Sequence, residues 1–359
     1  MTILVYKLTP NGYFKNINSY TLFGAFAWAY KLIYGEENLI NFLQQFSYTP
    51  IFRLSSPLFF VKDKIVFLPK PIWVSDLINR RYNTQVEFDP NELDLQEKIK
   101  ILGKRKDIKK LKYLSLQAYE ELFAYASEED INNFREIEIF DNENYKIVNK
   151  SFLISSNELS ENLDFRIKQE VITKNYVNRI FQKSERVFLE EPVFMENVSF
   201  LVVVFFDENN NLISLEDFRK VFELGIKNGL GKNKNLGWGN FILEEINNEI
   251  IQKFEDLYKY DNTRKVLTLS PVLYNYAKRI FDLKKSFYNI ESHISYVESS
   301  YDNPKNLIKP PYIYLSEGSI LQYKDNIPAN ITYLEQTSLL NAFTIYQYGI
   351  EFPIKFGEG

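Results

Sequence analysis

The sequence predicts an α+β fold with antiparallel sheets, and three observations support that prediction. A strand-like segment at residues 3–8 precedes a helical pattern, and a strand, a helix and a further strand follow one another between residues 198 and 246. Prolines interrupt the extended region between these two parts. The chain has 359 residues and a mass of 42.6 kDa, so its length suggests about two domains of ordinary size.

The first strand and helix follow from local residue pattern. Residues 3–8 are β-branched at their start, which favours a strand. The next segment begins at Asn18 or Ser19, either of which can act as the N-cap of a helix, and Gly35 ends it. The apolar positions at helical spacing are Leu22, Phe23, Phe26, Ala27, Tyr30 and Ile33.

The middle of the chain is first extended and then strongly polar. Residues 48–74 contain four prolines, which suits edge strands and turns, and the second strand of the sheet is expected in this region. Residues 98–112 hold eight basic side chains and one acidic side chain, Asp107. Residues 127–149 are rich in Asn and Glu. We therefore expect an insertion at about residues 75–165.

The clearest local pattern lies between residues 198 and 246. Residues 198–206 form a continuous apolar run typical of a buried strand, residues 215–227 are amphipathic, and residues 240–246 resemble a further strand. With the opening strand and helix, the order becomes β-α-β-β-α-β, which is the ferredoxin-like (RRM-like) layout with helices on one face of an antiparallel sheet.

The predicted fold is therefore two ferredoxin-like domains in tandem. Residues 1–246 form the first, which carries the large insertion. Residues 247–359 form the second, in which three strand-like pieces accompany a helical pattern at residues 272–287. The strand-like pieces are residues 266–269, 312–315 and 350–355.

Composition excludes several classes of function. The 43 basic and 47 acidic residues give a net charge of −4, which excludes a strongly basic nucleic-acid binder but leaves room for a local basic groove. The chain has no cysteine, and His293 is its single histidine, so thiolate zinc sites and HExxH zinc proteases cannot form. We expect a structural role for His293. Without a secretory signal or a run of about 20 apolar residues, a cytoplasmic protein that does not contact membranes is expected.

The glycine loop, residues 229–239 with the sequence GLGKNKNLGWG, is the most informative stretch. A P-loop requires Ser or Thr where Asn233 stands, and a dinucleotide-binding loop requires glycine where Lys234 stands, so neither pattern fits. Glycines permit positive φ and leave N–H groups free to point at an anion, and Lys232 adds charge. With Trp238 as a stacking face, the loop is typical of a cradle for an RNA strand lying along the sheet surface, rather than of a merely solvated turn.

Five segments together resemble one known family. The glycine loop resembles the C-terminal glycine-rich loop of the RAMP superfamily, the ferredoxin-like RNA-binding proteins of CRISPR systems. The segment NSYTLFGAFAW from Asn18 resembles the SDTLFGA helix start of one branch. FLPKP from Phe67, the pair Asn178-Arg179 and YQYGIEF from Tyr346 match further segments of that branch, in its order and over nearly the whole chain. The branch is the fourth Csm subunit of type III-A effector complexes, which caps the 5′ handle of crRNA.

The resemblance implies a non-catalytic subunit in antiviral defence that needs no cofactor and no metal. Its partners would be the crRNA 5′ handle, the large polymerase/nuclease subunit and a neighbouring RAMP backbone subunit. Tyr20 replaces the acid usual in this helix start, and the central KNKN is less rich in arginine than in the family, which concerns individual base contacts. The RNA-binding residues would be Asn18, Ser19, Tyr20, Thr21, Asn178, Arg179, Gly229, Gly231, Lys232, Asn233, Lys234, Gly237, Trp238 and Gly239.

A local charge excess also favours RNA contact near Arg179. Residues 166–186 hold six basic side chains and two acidic ones, which predicts a strip facing phosphates, although a surface ion-pair network fits the same residues. The basic side chains are Arg166, Lys168, Lys174, Arg179, Lys183 and Arg186, and the acidic ones are Glu170 and Glu185.

Two other functions stay open from sequence. The first is a metal-independent RAMP endoribonuclease that processes precursor crRNA, which needs a general base near the ribose 2′-hydroxyl. The second is a protein scaffold whose glycine loop is incidental, for which RNA affinity should be weak and nearly independent of salt.

Overall fold

The structure is a computed structural model of the chain. It describes residues 2–72, 110–127, 131, 144–158, 163–178, 180–181, 183–231, 233–247, 249–258, 264–295, 308–328, 330–339 and 343–357. The insertion expected at about residues 75–165 and the basic segment at residues 98–112 lie largely outside the described residues.

The described part of the chain contains strands throughout and helices mainly in its first two thirds. The strands are β1 (Thr2–Pro10), β2 (Phe52–Leu54), β3 (Leu58–Val61), β4 (Ile65–Pro69), β5 (Tyr113–Ser115), β6 (Tyr145–Val148), β7 (Phe152–Ser155), β8 (Arg166–Gln169), β9 (Ile172–Asn178), β10 (Lys183–Glu190), β11 (Val193–Glu196), β12 (Val198–Phe206), β13 (Phe241–Ile246), β14 (Lys265–Thr268), β15 (Val272–Leu273), β16 (Ile290–His293), β17 (Tyr312–Leu315), β18 (Ile320–Gln322), β19 (Glu335–Leu339), β20 (Phe343–Gln347) and β21 (Pro353–Lys355). The helices are α1 (Ser19–Tyr34), α2 (Glu36–Tyr48), α3 (Leu116–Tyr119), α4 (Leu215–Lys227), α5 (Glu249–Tyr258) and α6 (Tyr274–Ile280), with a π-helical turn at Glu120–Ala124 and 3₁₀ turns at Ser156–Glu158 and Lys234–Leu236.

The first half of the chain is built on one mixed sheet of nine strands. Along the sheet the order is β13, β1, β12, β3, β4, β5, β7, β6, and β2 pairs with the end of β12 that β3 leaves free. β1 lies antiparallel between β12 and β13, and α1 and α4 connect these strands, so the predicted β-α-β-β-α-β order is present here. The sequence predicted a purely antiparallel sheet. The observed sheet is mixed, because β5 and β7 pair in parallel.

This sheet is buried on both of its faces. In β12, Phe200, Val202 and Val204 pack against the side of the sheet that carries α1 and α4, whereas Leu201 and Val203 pack against the other side with α5 and β14. Side chains alternate across a strand, so a strand covered on both sides must be apolar at every position. The predicted binding of RNA along an open sheet surface is therefore wrong for the centre of this sheet.

The second half of the chain differs from the predicted ferredoxin-like domain. Its described residues form two three-stranded sheets, β18-β14-β21 and β15-β17-β16, and a separate hairpin of β19 and β20. The helix predicted at residues 272–287 is limited to α6, since its first two residues pair as β15 and the chain becomes extended at Phe281. A second four-stranded ferredoxin-like sheet is thus not confirmed.

The C-terminal segment YQYGIEF joins the two halves. The hydroxyl of Tyr348 accepts a hydrogen bond from the backbone N–H of Leu54 at 2.9 Å, and the carboxylate of Glu351, which is 1% exposed, pairs with the guanidinium of Arg53. A Cβ at Gly349 would lie 2.5 Å from the side chain of Leu273, so this position requires glycine. These contacts give the segment a structural role in joining the two halves.

Candidate nucleic-acid interface

The glycine loop turns sharply and closes on itself. All of its glycines have φ between +67° and +82°, and Asn233 also has a positive φ of 66°. At Gly239 the backbone is so close to its neighbour that a Cβ would lie 1.9 Å from the carbonyl oxygen of Leu230. The N–H of Leu230 donates to the carbonyl of Gly239 at 2.8 Å, which joins the two Gly-x-Gly pairs.

Most of the glycine N–H groups are used within the protein. Gly229, Gly237 and Gly239 donate to the carbonyl oxygens of Ile226, Lys234 and Tyr13, at 2.8 to 2.9 Å. The expected nest of free donors is therefore not formed by these three glycines, because Gly229 donates back to α4, Gly237 donates into the 3₁₀ turn at Lys234–Leu236, and Gly239 donates to the connection between β1 and α1. What the glycines provide is the positive φ that the turn needs.

Trp238 does not offer an open stacking face. Its side chain is only 7% exposed, and the ammonium of Lys174 lies 4.4 Å from the centre of the indole ring. The ring of Tyr13 lies 5.9 Å from it on another side. The indole is instead a buried cation–π partner, and the predicted base-stacking role is not supported by this geometry.

Glu190 fixes the loop to a neighbouring hairpin. This carboxylate, 5% exposed at the end of β10, accepts hydrogen bonds from the Asn233 amide at 3.0 Å and from the Lys174 ammonium at 2.6 Å. Burial acts to raise the pKa of Glu190, but the hydrogen bonds from Lys174 and Asn233 outweigh it and hold the pKa below its ordinary value. Sequence reasoning missed Glu190, since no local pattern relates position 190 to position 233.

The predicted basic strip runs from β8 onto the hairpin of β9 and β10. Lys174 pairs with Glu190 and Lys168 pairs with Glu170, so these two cations are neutralised. The other described cations of the strip are exposed and form no ion pair with any described residue; they are Arg166, Lys183 and Arg186. Of the five cations of the strip that the structure describes, two are therefore in ion pairs and three are exposed without one.

Two predicted site residues, Arg179 and Lys232, lie outside the described residues. Asn178 is the last residue of β9 and pairs with Lys183 at the start of β10, across a turn that includes Ile180 and Phe181. The two described residues of that turn, Ile180 and Phe181, are 86% and 69% exposed.

The start of α1 contacts the second half of the chain. Asn18 is the N-cap residue, and its amide donates to the hydroxyl of Tyr20 at 2.6 Å. The N–H of Ser19 donates to the hydroxyl of Ser56, and Ser19 is fully buried. Thr21 accepts a long hydrogen bond of 3.5 Å from the N–H of Asn18. Ser19 is therefore not accessible to RNA, whereas Asn18, Tyr20 and Thr21 are partly exposed.

The single histidine lies at this same helix start. The Nδ1 atom of His293 is 3.3 Å from the hydroxyl of Tyr20, and the two ring centres are 4.6 Å apart. Burial lowers the pKa of His293, and the nearby charge of Lys309 lowers it further. The imidazole is therefore neutral at pH 7. Its position beside Tyr20 could not be found from sequence, because 273 residues separate the two.

The glycine loop and the hairpin both meet the connection that leads from β1 into α1. This connection touches the glycine loop through the bond from the Gly239 N–H to the carbonyl of Tyr13, and it touches the residue after the loop through a bond from the Asn11 N–H to the carbonyl of Asn240. It also touches the base of the hairpin, where Tyr13 donates to Glu170 at 2.6 Å. The structure thus brings the glycine loop and the hairpin together beside the connection that precedes the helix start.

Neither a metal centre nor a membrane-spanning helix is present among the described residues. Within those ranges, no group of three or more His, Asp or Glu side chains is arranged to hold a metal ion. Among the same residues, no helix is both long enough and apolar enough to cross a membrane.

Comparison with solved structures shows which fold this is. The chain is similar to Csm4 in a crystal structure of the Csm3-Csm4 subcomplex of the type III-A CRISPR-Cas interference complex, with a TM-score of 0.60, 22% identity, and coverage of 98% of this chain and 99% of that one. It is also similar to Csm4 in the Csm1-Csm4 cassette with pppApA, with a TM-score of 0.54, 15% identity, and coverage of 99% and 97%. The chain therefore has the Csm4 fold over nearly its whole length. No protein-family model matches it, and no curated protein matches its sequence.

Proposed function

We propose that this chain is a non-catalytic RNA-binding subunit of a type III-A CRISPR interference complex, and that it grips the 5′ handle of the crRNA. The observation that carries the proposal is the contact of the glycine loop with the hairpin and with the connection that leads into α1, within a Csm4 fold. These are the segments in which the sequence resembles the RNA-binding family.

The available cations determine how RNA would be held. Arg186 and Lys183 lie on β10, exposed and without carboxylate partners among the described residues, and Arg166 lies on the adjoining β8. These cations would contact phosphates. The glycine loop, fixed by Glu190, would form one wall of the surface on which the RNA lies. Because the centre of the sheet is covered, the RNA strand would run over the glycine loop and the hairpin rather than across the sheet.

The partners follow from the same likeness. The similar structures contain Csm4 with Csm3 in one case and with Csm1 in the other. We infer that this chain likewise docks a large polymerase/nuclease subunit and a neighbouring RAMP subunit. A chain of net charge −4 that presents local cations to RNA keeps acidic surface for such protein contacts.

Binding measured against salt tests the RNA proposal. The full chain is titrated with labelled RNA that carries the repeat-derived handle, and with RNA of the same composition in scrambled order. Lys183→Ala with Arg186→Ala should lower the slope of log K against log salt by about 1.4, since each contact to a single strand contributes about 0.7. The matched control is Lys220→Ala with Lys227→Ala on α4, where both lysines already pair with glutamates. Equal slopes for the two double variants, or weak binding independent of salt, would refute the proposal and favour the scaffold.

One observation gives the endoribonuclease alternative a specific candidate. His293, neutral and beside Tyr20 at the helix start, has the protonation state that a general base requires. Purified protein is incubated with repeat RNA without metal, alongside His293→Ala. Single-site cleavage that the variant loses would overturn the non-catalytic proposal, and intact RNA with both proteins would support it.

A further inference from the structure

A basic groove lies in the C-terminal half, on elements other than the glycine loop, the start of α1 and the hairpin. It is a cavity of about 610 Å³ between the end of α6, the turn at residues 282–285 and the turn at residues 322–326. Its charged lining consists of four lysines and two aspartates: Lys278, Lys284, Lys285, Lys324, Asp282 and Asp325. We call it the lysine groove.

The walls of the lysine groove are tied together by backbone hydrogen bonds. The N–H of Asp282 donates to the carbonyl of Gln322 at 2.8 Å, and the N–H of Lys324 donates to the carbonyl of Ile280 at 2.9 Å. Beneath them the rings of Phe281 and Tyr323 pack with their centres 4.7 Å apart. The groove is therefore a fixed part of the fold that requires no rearrangement to accept a ligand.

The two aspartates leave most of the positive charge uncompensated. Asp325 pairs with Arg264, which is not part of the lining. Asp282 accepts the backbone N–H of Lys284 and lies 3.8 Å from the ammonium of Lys285. The set of Arg264, four lysines and two aspartates thus has a charge of +3, in a chain whose net charge is −4.

Two of the ammonium groups are held close to the cavity without a carboxylate. Lys324 donates to the carbonyl of Lys278 at 2.6 Å, so its position is fixed while its charge is kept. Lys284 forms no ion pair with any described residue. On α4, by contrast, Lys220 and Lys227 each pair with a glutamate one turn away. Cations that are concentrated around a cavity and left unpaired are typical of an anion site.

From this arrangement we propose that the lysine groove binds the phosphates of a single-stranded nucleic acid, as a contact separate from the one at the glycine loop. Phosphates are favoured over bases because the charged lining is mainly ammonium groups, while Phe281 is fully buried and the hydroxyl of Tyr323 already donates to Glu351. Contact of this kind is independent of sequence and sensitive to salt.

The test compares two pairs of lysines on the full chain. Binding of a uridine-rich single-stranded RNA is followed by fluorescence anisotropy over a range of salt, for Lys284→Ala with Lys324→Ala and for the control Lys220→Ala with Lys227→Ala. The groove variant should lower the salt slope by about 1.4 and weaken binding about 10-fold near 0.1 M salt, and the control should do neither. Thermal melting confirms that both variants are folded, as expected for exposed side chains.

Two further arms separate this proposal from its neighbours. The same pair of substitutions is made together with Lys183→Ala and Arg186→Ala; independent sites give additive losses of slope, so the lysine groove can stand even where the hairpin fails. Inorganic tripolyphosphate is titrated calorimetrically. Loss of tripolyphosphate binding with an unchanged RNA slope would assign the groove to a free polyphosphate and overturn the proposal, as would equal RNA binding by the groove and control variants.

Discussion

Replacing Glu190 with Gln should loosen the glycine loop, although the side chain at position 190 keeps nearly the same size. The carboxylate is 5% exposed and holds Asn233 and Lys174 together. Glutamine keeps one acceptor oxygen but places an N–H₂ group against two donors. The ammonium of Lys174, 26% exposed, then loses its charged partner beneath Trp238.

The cost follows from these contacts. A hydrogen bond to a charged group contributes about 1.5–3 kcal/mol, and a partner left without its bond costs a similar amount. Water still reaches Lys174, which screens the pair, so we expect a loss of about 2 kcal/mol in the free energy of unfolding. Because the pKa of Glu190 is lowered on folding, its contribution is present above pH 4.5 and is lost as the pH falls through the folded pKa.

Urea unfolding at pH 7 measures this loss, and hydrogen exchange of residues 229–239 locates it. Glu191→Gln is the matched control, since Glu191 is the exposed neighbour of Glu190 and accepts from Gln169 at 2.9 Å. The difference between the two variants in the free energy of unfolding should narrow as the pH falls below 4.5 and Glu190 becomes protonated in the folded state. If the free energies of unfolding of Glu190→Gln and of the control differ by less than about 0.5 kcal/mol at pH 7, the loop is not held by this carboxylate.

Three further substitutions test the packing of the site and of the joint between the halves. Gly239→Ala should lose about 2–3 kcal/mol in urea unfolding, because its Cβ would meet the carbonyl of Leu230, whereas Gly24→Ala, in open space on α1, should be neutral or slightly stabilising. Trp238→Ala should lose about 3–5 kcal/mol; normal stability with weaker RNA binding would contradict its burial. Burial raises the pKa of Glu317 to about 7, so the folded state loses stability as the pH rises from 4.5 through 7. The melting temperature of Glu317→Gln should therefore exceed that of the wild type at pH 8 but not at pH 5.

Sequence periodicity predicted the first half of the fold because local and tertiary preferences agree there. The apolar spacing of α1 and the continuous apolar run of β12 each identify an element without reference to its partners. The same run already indicated a strand covered on both faces, because a strand of a half-open sheet alternates apolar and polar residues. The expectation of RNA lying along the sheet surface did not take this into account. In the second half, strands of two to five residues carry too short a pattern to assign pairings, which explains the error at residues 272–287.

The candidate site was predictable in its segments and not in its contacts. Glycine content marked the loop at residues 229–239, and positive φ at each of its glycines shows why. The N–H groups expected to face a ligand depend on how the loop folds back, which composition does not determine. The pairing of Asn233 with Glu190 crosses 43 residues, and that of Tyr20 with His293 crosses 273, so neither has a local signature.

These long-range contacts change how the loop would act on RNA. A loop whose N–H groups are free would bind phosphate directly, and its glycines would be the ligands. Here the N–H groups of Gly229, Gly237 and Gly239 donate to carbonyl oxygens of the protein itself. The loop is also hydrogen-bonded to the base of the hairpin, whose exposed strand β10 carries Lys183 and Arg186. In the proposed function the loop would therefore act by positioning, and the cations of β10 would act by contact. It follows that loosening the loop should weaken RNA binding at every salt concentration alike, whereas removing the β10 cations should change the salt slope itself.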